Sequence, residues 1–350
     1  MSFGITKATL DFEPIKEIGQ QGRNSTVYLA HDKQLDAELV IKKIEKNKIS
    51  NPAEFYTEAK RLYDSEHQHV VQIKYACEDT DHIYLAMPFY KNGSLKTLID
   101  TRFLTVREII RYATQFLSGL HNIHVKKLIH FDVKPDNILI SNSDEALISD
   151  FGLAKNMNAL GLSSPDKIYP RQIPPETFSQ THHSMLYDIF NAGLTLYRMC
   201  NGNQYYYSQA SQYPDQPAYI AAICGGTFPN RNMYFPHIPK SLRKVINKAL
   251  SVNQSDRHQT VLELINDLSP IAQLLDWKFA RLVNNDTWTL EDADRRFVVS
   301  LTWAGSIFAI DTQKTVFSSG NTTKVSTGCK NNIPLKDVNK EVQDILLSLE

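Results

Sequence analysis

The sequence predicts an α+β fold made of two lobes, followed by a small β-rich C-terminal extension. Short strand-like segments dominate residues 12–90, and segments with helical periodicity dominate residues 94–270. Strand-like segments return after residue 275. Strands first and helices afterwards indicate two lobes with a cleft between them. We therefore expect three regions, at residues 1–90, 91–275 and 276–350.

The first lobe is predicted to be mainly β-sheet, because short strand-like runs follow one another along it. A single helix, at about Pro52–Ser65, interrupts these runs. The expected strands are Glu17–Ile18, Thr26–Ala30, Glu38–Ile44, Val70–Ala76 and His82–Pro88.

The second lobe is predicted to be helical. Segment Val106–Val125 has an apolar stripe that is typical of a helix with one buried face, formed by Ile109, Ile110, Ala113, Phe116, Leu117, Leu120 and Ile123. Further helices are expected at Ser184–Cys200, Ala218–Cys224, Ser241–Leu250 and Thr260–Leu268.

The C-terminal extension combines strands with a closing helix. Strands are expected on either side of an Ala304–Gly305 turn, and the helix follows; the segments are Phe297–Trp303, Ser306–Asp311, Thr315–Phe317, Thr323–Ser326 and the helix Leu335–Leu349. Two interpretations stay open. The extension packs on the larger lobe and covers Trp277, Trp288 or Trp303, or it serves substrate docking or self-association through these aromatics and the terminal helix.

Composition excludes several classes of protein. Lys and Arg total 38, Asp and Glu total 38, and the formal charge is zero, which disfavours nucleic-acid and polybasic membrane binding. The four cysteines are far apart and form no CxxC pair, so we expect neither a zinc site nor a disulfide framework. The N-terminus lacks the apolar core of a signal peptide, and no apolar run approaches a membrane span. We expect a soluble, cytoplasmic protein.

The strongest chemical signal is the segment His130-Phe131-Asp132-Val133-Lys134-Pro135-Asp136-Asn137-Ile138-Leu139. It resembles the catalytic loop of protein kinases, H-R-D-L-x-x-x-N. The resemblance implies that Asp132 accepts or orients the proton of the attacking hydroxyl and that Asn137 helps to hold a metal ion. Lys134 would lie beside the transferring phosphoryl group and offset its charge.

Two further motifs complete the expected catalytic group. Asp150-Phe151-Gly152 matches the D-F-G motif, and Asp150 would provide the main carboxylate to Mg²⁺. Leu39-Val40-Ile41-Lys42 resembles the V-A-I-K strand, which implies that Lys42 contacts the α- and β-phosphates of ATP. Glu58, on the following helix, is placed to pair with Lys42.

Segment Ile83–Leu95 resembles the strand, hinge and small helix that bind adenine in this family, with Met87 as the gatekeeper. The Pro88 carbonyl and the Tyr90 amide would then face the adenine edge. Taken together, the resemblance implies an ATP-binding set of Gly19, Gly22, Ser25, Val27, Val40, Lys42, Glu58, Met87, Pro88, Tyr90 and Leu139.

The remaining landmarks follow in the order that the family requires. Pro174-Pro175-Glu176 looks like A-P-E, Asp188–Gly193 looks like D-x-W-x-x-G, and Arg257 looks like the arginine that pairs with the A-P-E glutamate. The chain is thus similar, over about residues 12–270, to the eukaryotic-type (Hanks-type) serine/threonine protein kinases. The resemblance implies a bilobal protein kinase-like fold with a β-rich N-lobe and a helical C-lobe. It also implies the cofactors ATP and Mg²⁺ and a protein substrate with a Ser or Thr acceptor.

The sequence departs from the family at several places. The Gly-rich loop has one extra residue, and Ser25 replaces its third glycine. Phe131 replaces the arginine of H-R-D, a non-RD variant, so we expect activity that does not depend on activation-loop phosphorylation. Tyr169 stands where serine/threonine kinases usually carry threonine. Ser25 and Thr26 are either loop hydroxyls only or sites whose phosphorylation blocks nucleotide binding.

Two other functions remain open at this stage. The poor Gly-rich loop and Phe131 are also compatible with a pseudokinase, a kinase-shaped binding or scaffolding module. A small-molecule kinase would share H-x-D and the metal aspartate, but such enzymes lack the landmarks at Glu176, Asp188 and Arg257 that brace a protein-substrate platform.

Overall fold

A computed structural model of the chain describes residues 11–19, 25–48, 60, 63, 66–150, 154–165 and 172–350. Within these residues the expected division into a β-rich first lobe, a helical second lobe and a β-rich extension is confirmed. In this part of the chain no helix is both long and apolar enough to cross a lipid bilayer.

The first lobe contains one antiparallel sheet with the strand order β1-β2-β3-β5-β4. Strand β3 lies in the middle, because it pairs with β2 on one side and β5 on the other. Of the predicted helix at about Pro52–Ser65, only Lys60 and Tyr63 lie within the described residues, and both are helical. The strands are β1 (Phe12–Gly19), β2 (Ser25–Asp32), β3 (Ala37–Glu45), β4 (Tyr75–Glu78) and β5 (His82–Pro88).

The predicted strand Val70–Ala76 is wrong over most of its length, since β4 begins only at Tyr75. Val70 and Val71 are buried, which explains the apolar run. Their backbone bonds to the larger lobe instead of the sheet: the Val71 amide donates to the Ile148 carbonyl at 2.9 Å. An apolar run that joins two lobes has the composition of a strand without being one.

The second lobe is built around helix α2, whose predicted apolar stripe is buried except for the half-buried Ile110. A capping box between Thr105 and Glu108 fixes its start. Helix α4 was not predicted. The helices are α1 (Leu95–Thr101), α2 (Val106–Val125), α3 (Leu186–Asn201), α4 (Asn203–Ala210), α5 (Gln216–Cys224), α6 (Lys240–Ala249) and α7 (Val261–Leu268).

Two small antiparallel strand pairs include the strands that flank residues 130–137 in the sequence. Strand β7 pairs with β8, and β6 pairs with β9. A 3₁₀ turn, Pro135–Asn137, precedes β7. The strands are β6 (Leu128–Ile129), β7 (Ile138–Ile140), β8 (Ala146–Ile148) and β9 (Lys155–Asn156).

The extension forms an antiparallel sheet of the order β10-β11-β12-β13-β14, in which β15 also pairs with β13. Strands β10 and β11 were not predicted, and the expected strand Thr315–Phe317 is largely the end of β13. The elements are β10 (Lys278–Leu282), β11 (Asn285–Glu291), β12 (Arg295–Ala304), β13 (Ile307–Val316), β14 (Thr322–Lys324), β15 (Lys330–Ile333) and helix α8 (Leu335–Leu349).

The extension shares its hydrophobic core with the second lobe. Trp277 and Trp288 are fully buried, whereas Trp303 is half-buried. The Trp288 indole donates to Nδ1 of His237 at 3.2 Å, and the Phe279 ring lies 4.6 Å from that of Phe235. The expectation of an appendage packed on the larger lobe is thus confirmed.

The buried His237 makes this junction sensitive to acid. Burial lowers the pKa of His237 to about 3, from an ordinary value of 6.5. The neutral ring accepts a hydrogen bond from the indole N–H of Trp288. Below pH 6.5 the unfolded chain binds a proton at His237 that the folded chain does not bind. The free energy of unfolding therefore decreases as the pH is lowered, by up to about 1.4 kcal/mol per pH unit.

We expect the free energy of unfolding, measured in urea, to fall more steeply between about pH 6.5 and pH 5 in the wild type than in His237→Phe, because phenylalanine cannot take up a proton. Each protein is compared with itself at the two pH values, so loss of the indole bond in the variant does not affect the slope. Equal slopes for the two proteins would contradict the prediction.

Candidate active site

A cavity of about 360 Å³ opens between the sheet of the first lobe and the start of the second lobe. It brings together most of the residues predicted to bind nucleotide and metal. Those that line it are Val27, Val40, Lys42, Met87, Pro88, Tyr90, Asn137, Leu139 and Asp150.

The strand register explains why the upper residues converge. Side chains alternate along a strand, so Val40 and Lys42 share the cavity face of β3 while Ile41 is buried on the other face. Val27 on β2 is the partner of Lys42, and Met87 on β5 is the partner of Val40. Lys42 Nζ lies 3.4 Å from Oδ1 of Asp150, which joins the sheet to the second lobe.

The catalytic-loop residues form a compact polar group. Lys134 Nζ donates to both carboxylate oxygens of Asp132, at 2.9 and 2.7 Å. The Asn137 amide nitrogen donates to Oδ2 of Asp132 at 2.7 Å and to its carbonyl at 2.9 Å. Burial raises the pKa of Asp132, and the Lys134 ammonium opposes this rise. Because the Asn137 nitrogen faces Asp132, its amide oxygen is the atom left for a cation.

A buried aspartate holds the predicted catalytic loop by accepting hydrogen bonds from its backbone amides. Asp188, fully buried at the start of α3, accepts from the amides of His130 and Phe131, each at 2.8 Å. His130 itself bonds to the Ser149 carbonyl at 3.0 Å. Phe131 has φ 65° and Asp150 has φ 61°, a region that non-glycine residues rarely adopt. These contacts fix the two aspartate-bearing segments relative to each other.

Phe131 lies in an apolar cluster instead of facing solvent. Its ring packs edge-on against Tyr187 at 5.1 Å and against His183 at 6.4 Å. His183 also forms a backbone bridge with Ser163, in which the amides and carbonyls bond at 2.9 and 2.7 Å. Ring packing therefore joins Phe131 to His183, and backbone hydrogen bonds join His183 to Ser163.

Several residues of the predicted site lie outside the part of the chain that the structure describes. Gly22 and Glu58 lie outside the described residues, as do Phe151, Gly152 and Tyr169. Gly19 ends β1 opposite Val27, and Ser25 begins β2. By strand alternation Ser25 shares a face of β2 with the cavity-lining Val27, and Thr26 lies on the opposite face; neither Ser25 nor Thr26 is among the residues that line the cavity.

Sequence reasoning missed several residues that line the cavity. Alternation along β5 would have found Leu85, which shares a face with Met87. Asp136 lies within the predicted catalytic loop, but no role was predicted for it. The full set that was missed is Ile18, Val71, Leu85, Phe89, Gly93, Ser94, Thr97, Asp136 and Ser149.

The expected pairing of Glu176 with Arg257 is confirmed. Two parallel bonds join the guanidinium to the carboxylate, Nη1 to Oε1 at 2.8 Å and Nη2 to Oε2 at 2.6 Å. Both side chains are buried. The pair braces the segment between residues 172 and 186 against the turn before α7.

Comparison with known proteins agrees with this geometry. The model of the protein kinase domain matches residues 12–268, most of the chain. The chain belongs to the protein kinase family. This kinase is 28% identical over 302 residues to the serine/threonine-protein kinase PknD of Chlamydia muridarum, an alignment that covers 75% of the chain and 32% of the relative.

Two other relatives of this kinase come from clostridial and lactococcal bacteria. The probable serine/threonine-protein kinase CPE1738 of Clostridium perfringens is 28% identical, covering 74% of this chain and 38% of the relative. The probable serine/threonine-protein kinase PknB of Lactococcus lactis is 27% identical, covering 74% of this chain and 42% of the relative. The alignments therefore span less than half the length of these relatives.

Protein kinases use ATP and Mg²⁺, and the cleft of this kinase fits both groups. The cavity walls are mainly apolar side chains, as a purine ring requires, and the charged residues that line it are Lys42, Asp136 and Asp150. Carboxylate and amide oxygens are the ligands that Mg²⁺ prefers, and Asp150 and Asn137 offer one of each.

Proposed function

We propose that this chain is a serine/threonine protein kinase, which transfers the γ-phosphoryl group of ATP to hydroxyl side chains of other proteins. One observation carries the proposal: Lys42, Asn137 and Asp150 come from three separate segments and line one cleft, where Asn137 bonds to Asp132 of its own segment. The names of the relatives of this chain, which specify serine/threonine kinases, support serine or threonine as the acceptor residue. Lys134-Pro135 resembles serine/threonine-directed enzymes as well.

Nucleotide binding is divided between an apolar and a charged end of the cavity. Val27, Val40 and Leu139 pack on the adenine, next to the gatekeeper Met87. The Pro88 carbonyl and the Tyr90 amide face the adenine edge, and proline suits a position that needs no donor. Gly19, Gly22 and Ser25 approach the phosphates. Lys42, paired with Glu58, aligns the α- and β-phosphates, and Asn137 with Asp150 holds the metal.

Phosphoryl transfer then depends on two side chains already in contact. Asp132 orients the acceptor hydroxyl and takes its proton as the oxygen bonds to the γ-phosphorus, while the bond from that phosphorus to the β–γ bridging oxygen breaks and ADP leaves. Lys134, which donates to Asp132, offsets the charge on the transferring group. Bound Mg²⁺ supplies neutralisation of the phosphate charge.

The proposal is tested by incubating the chain with labelled ATP and a protein mixture, beside Asp132→Ala. We expect protein labelling by the wild type only, with phosphate on serine or threonine by mass spectrometry. Equal labelling by both proteins, or none, indicates the pseudokinase alternative. Phosphorylation of a metabolite but of no protein indicates a small-molecule kinase.

Activity independent of activation-loop phosphorylation is part of the same proposal. Position 131 carries a phenylalanine that packs on Tyr187, so no arginine is present there to bind a phosphate. The Ser163–His183 bridge holds the loop by backbone hydrogen bonds instead. We expect Ser163→Ala/Ser164→Ala to keep turnover nearly intact, measured as initial rate at saturating ATP. A loss of about a hundredfold would refute this.

The domain organisation completes the proposal. Residues 1–90 form the N-lobe, residues 91–275 the C-lobe and residues 276–350 an extension that serves as a site of self-association. The half-buried Trp303 and Phe308 of the extension support this last role. A cytoplasmic location is proposed on the basis of four unpaired cysteines.

A further inference from the structure

Arg198 is a buried cation close to the catalytic loop. It lies on α3, and its side chain is 2% exposed. Its contact with the Asp136 carboxylate spans 3.6 Å, longer than a hydrogen bond. Burying a guanidinium is costly unless its N–H groups find acceptors, so the identity of those acceptors indicates what the residue does.

The guanidinium directs its hydrogen bonds to three neutral groups. Nε donates to Oδ1 of Asn203 at 2.7 Å, and Nη2 donates to the Tyr207 hydroxyl at 3.0 Å. Nη1 donates to Oε1 of Gln172 at 3.0 Å. Arg198 therefore connects α3 and α4 to the segment that follows the activation loop.

Gln172 carries the connection into the catalytic loop. Its side chain is buried, and its Nε2 donates to the Val133 carbonyl at 2.8 Å. Val133 stands between Asp132 and Lys134 in the chain, so this bond holds the peptide unit that joins the two proposed catalytic residues.

The other branch reaches the nucleotide-binding rim. Asn203 Nδ2 donates to Oδ1 of Asp100 at 2.7 Å, and Asp100 pairs with Lys96. Both residues lie on α1, whose first turn includes Thr97, a residue that lines the cavity. One polar relay, buried from Val133 through Gln172 and Arg198 to Asn203 and ending at the exposed Asp100, thus joins the catalytic loop to the rim.

We propose that Gln172 and Arg198 are positioning residues for phosphoryl transfer, which rests on the proposed kinase function. Hydrogen-bonded polar networks inside a protein rigidify the segments that they join, so removing one member loosens those segments. Transfer requires reacting atoms in near-attack geometry, so a shift of about 1 Å at Asp132 or Lys134 costs about a hundredfold in rate. The relay fixes the Val133–Lys134 peptide unit and through it both side chains.

Two substitutions separate the bonds of Gln172. Gln172→Leu removes both of them. Gln172→Glu keeps an acceptor for Arg198 and adds charge complementarity, but it loses the donor to the Val133 carbonyl. Gln343→Leu is the matched control. Gln343 is also a buried glutamine, 7% exposed against 9% for Gln172, and its Nε2 donates to the main-chain carbonyl of Pro236 at 2.9 Å.

We expect Gln172→Leu and Gln172→Glu each to lower kcat about tenfold or more, with KM for ATP changed by less than about twofold. Gln172→Glu recovers thermal stability relative to Gln172→Leu without recovering kcat. Gln343→Leu loses stability and keeps kcat when assayed well below its melting temperature. Wild-type kcat in Gln172→Leu, or the same kcat loss in the control, would overturn the proposal.

Hydrogen exchange provides a readout that does not depend on activity. In Gln172→Leu we expect faster amide exchange within residues 130–137 than in the wild type, and no such change in Gln343→Leu. Unchanged exchange there overturns the positioning role. If the wild type labels no more protein than Asp132→Ala, the kinase proposal fails, and the exchange result still decides whether the relay holds the loop.

Discussion

Lys42→Met is expected to lower the rate of phosphoryl transfer by about 10²- to 10³-fold, the loss typical of removing one preorganised charge-stabilising group. Lys42 Nζ lies 3.4 Å from Oδ1 of Asp150, and both residues line the cavity in which the proposed phosphates and metal meet. Methionine keeps the length of the side chain, so packing against β2 and β5 changes little. The measurement is kcat and KM for ATP with a protein acceptor.

The adjacent residue offers a matched control. Lys43 is on the same strand and is paired with Thr26 and Tyr84, but strand alternation turns it away from the cavity. Lys43→Met removes the same charge from the same strand and should keep kcat within about twofold, because surface charges contribute little. Equal losses in the two variants would show that net charge, and not the position of Lys42, is responsible.

Glu176→Gln is expected to lower the free energy of unfolding by about 3–5 kcal/mol, because it leaves Arg257 buried without its counter-charge. The two parallel bonds of this pair are enclosed, with side-chain exposures of 5% for Glu176 and 0% for Arg257. The Arg257 guanidinium also donates to the Leu186 carbonyl at 2.9 Å, so it cannot turn towards solvent without breaking further bonds. Urea unfolding followed by circular dichroism measures the loss.

A bidentate pair at the surface serves as the control for this prediction. Arg107 meets Asp276 through Nε at 2.6 Å and Nη2 at 2.8 Å, yet the side chains are 58% and 50% exposed. Asp276→Asn should cost no more than about 1 kcal/mol, since solvent replaces the lost interaction. If Glu176→Gln costs no more than Asp276→Asn, burial does not set the strength of the Glu176–Arg257 pair.

The proposed site was predictable where neighbouring residues in the chain share one task. Asp132, Lys134 and Asn137 lie within six positions, so the resemblance of this one segment to the kinase catalytic loop predicted that they act together, and Asp132 bonds to both of the others. The pairing of Glu176 with Arg257 was also predicted, from the order of the family landmarks.

The relay through Arg198 could not be predicted in that way. Val133, Gln172 and Arg198 are far apart in the sequence, and each has an ordinary structural explanation there. Only the packing of α3 against the catalytic loop brings the three together. A buried arginine that bonds to neutral acceptors leaves no periodicity or spacing in the chain.

The fold shows the same limit at strand edges and junctions. Strands β10 and β11 were missed although their turn contains Asn284, which has φ 56° and is of a residue type common in tight turns. Val70 and Val71 gave the opposite error, because burial between lobes produces the same apolar run as a strand. The local composition of a segment indicates that it is buried. It does not indicate which part of the protein packs on the segment, because that depends on the tertiary structure.

The central claim is that Lys42, Asp150 and Asn137 serve one triphosphate and its metal. A crystal structure of the chain with a non-hydrolysable ATP analogue and Mg²⁺ tests it most directly. We predict the triphosphate between Lys42 Nζ and the Asp150 carboxylate, with the metal bound by Asp150 and the Asn137 amide oxygen. A nucleotide bound elsewhere, or a cleft that stays closed to it at saturating concentration, would contradict the account.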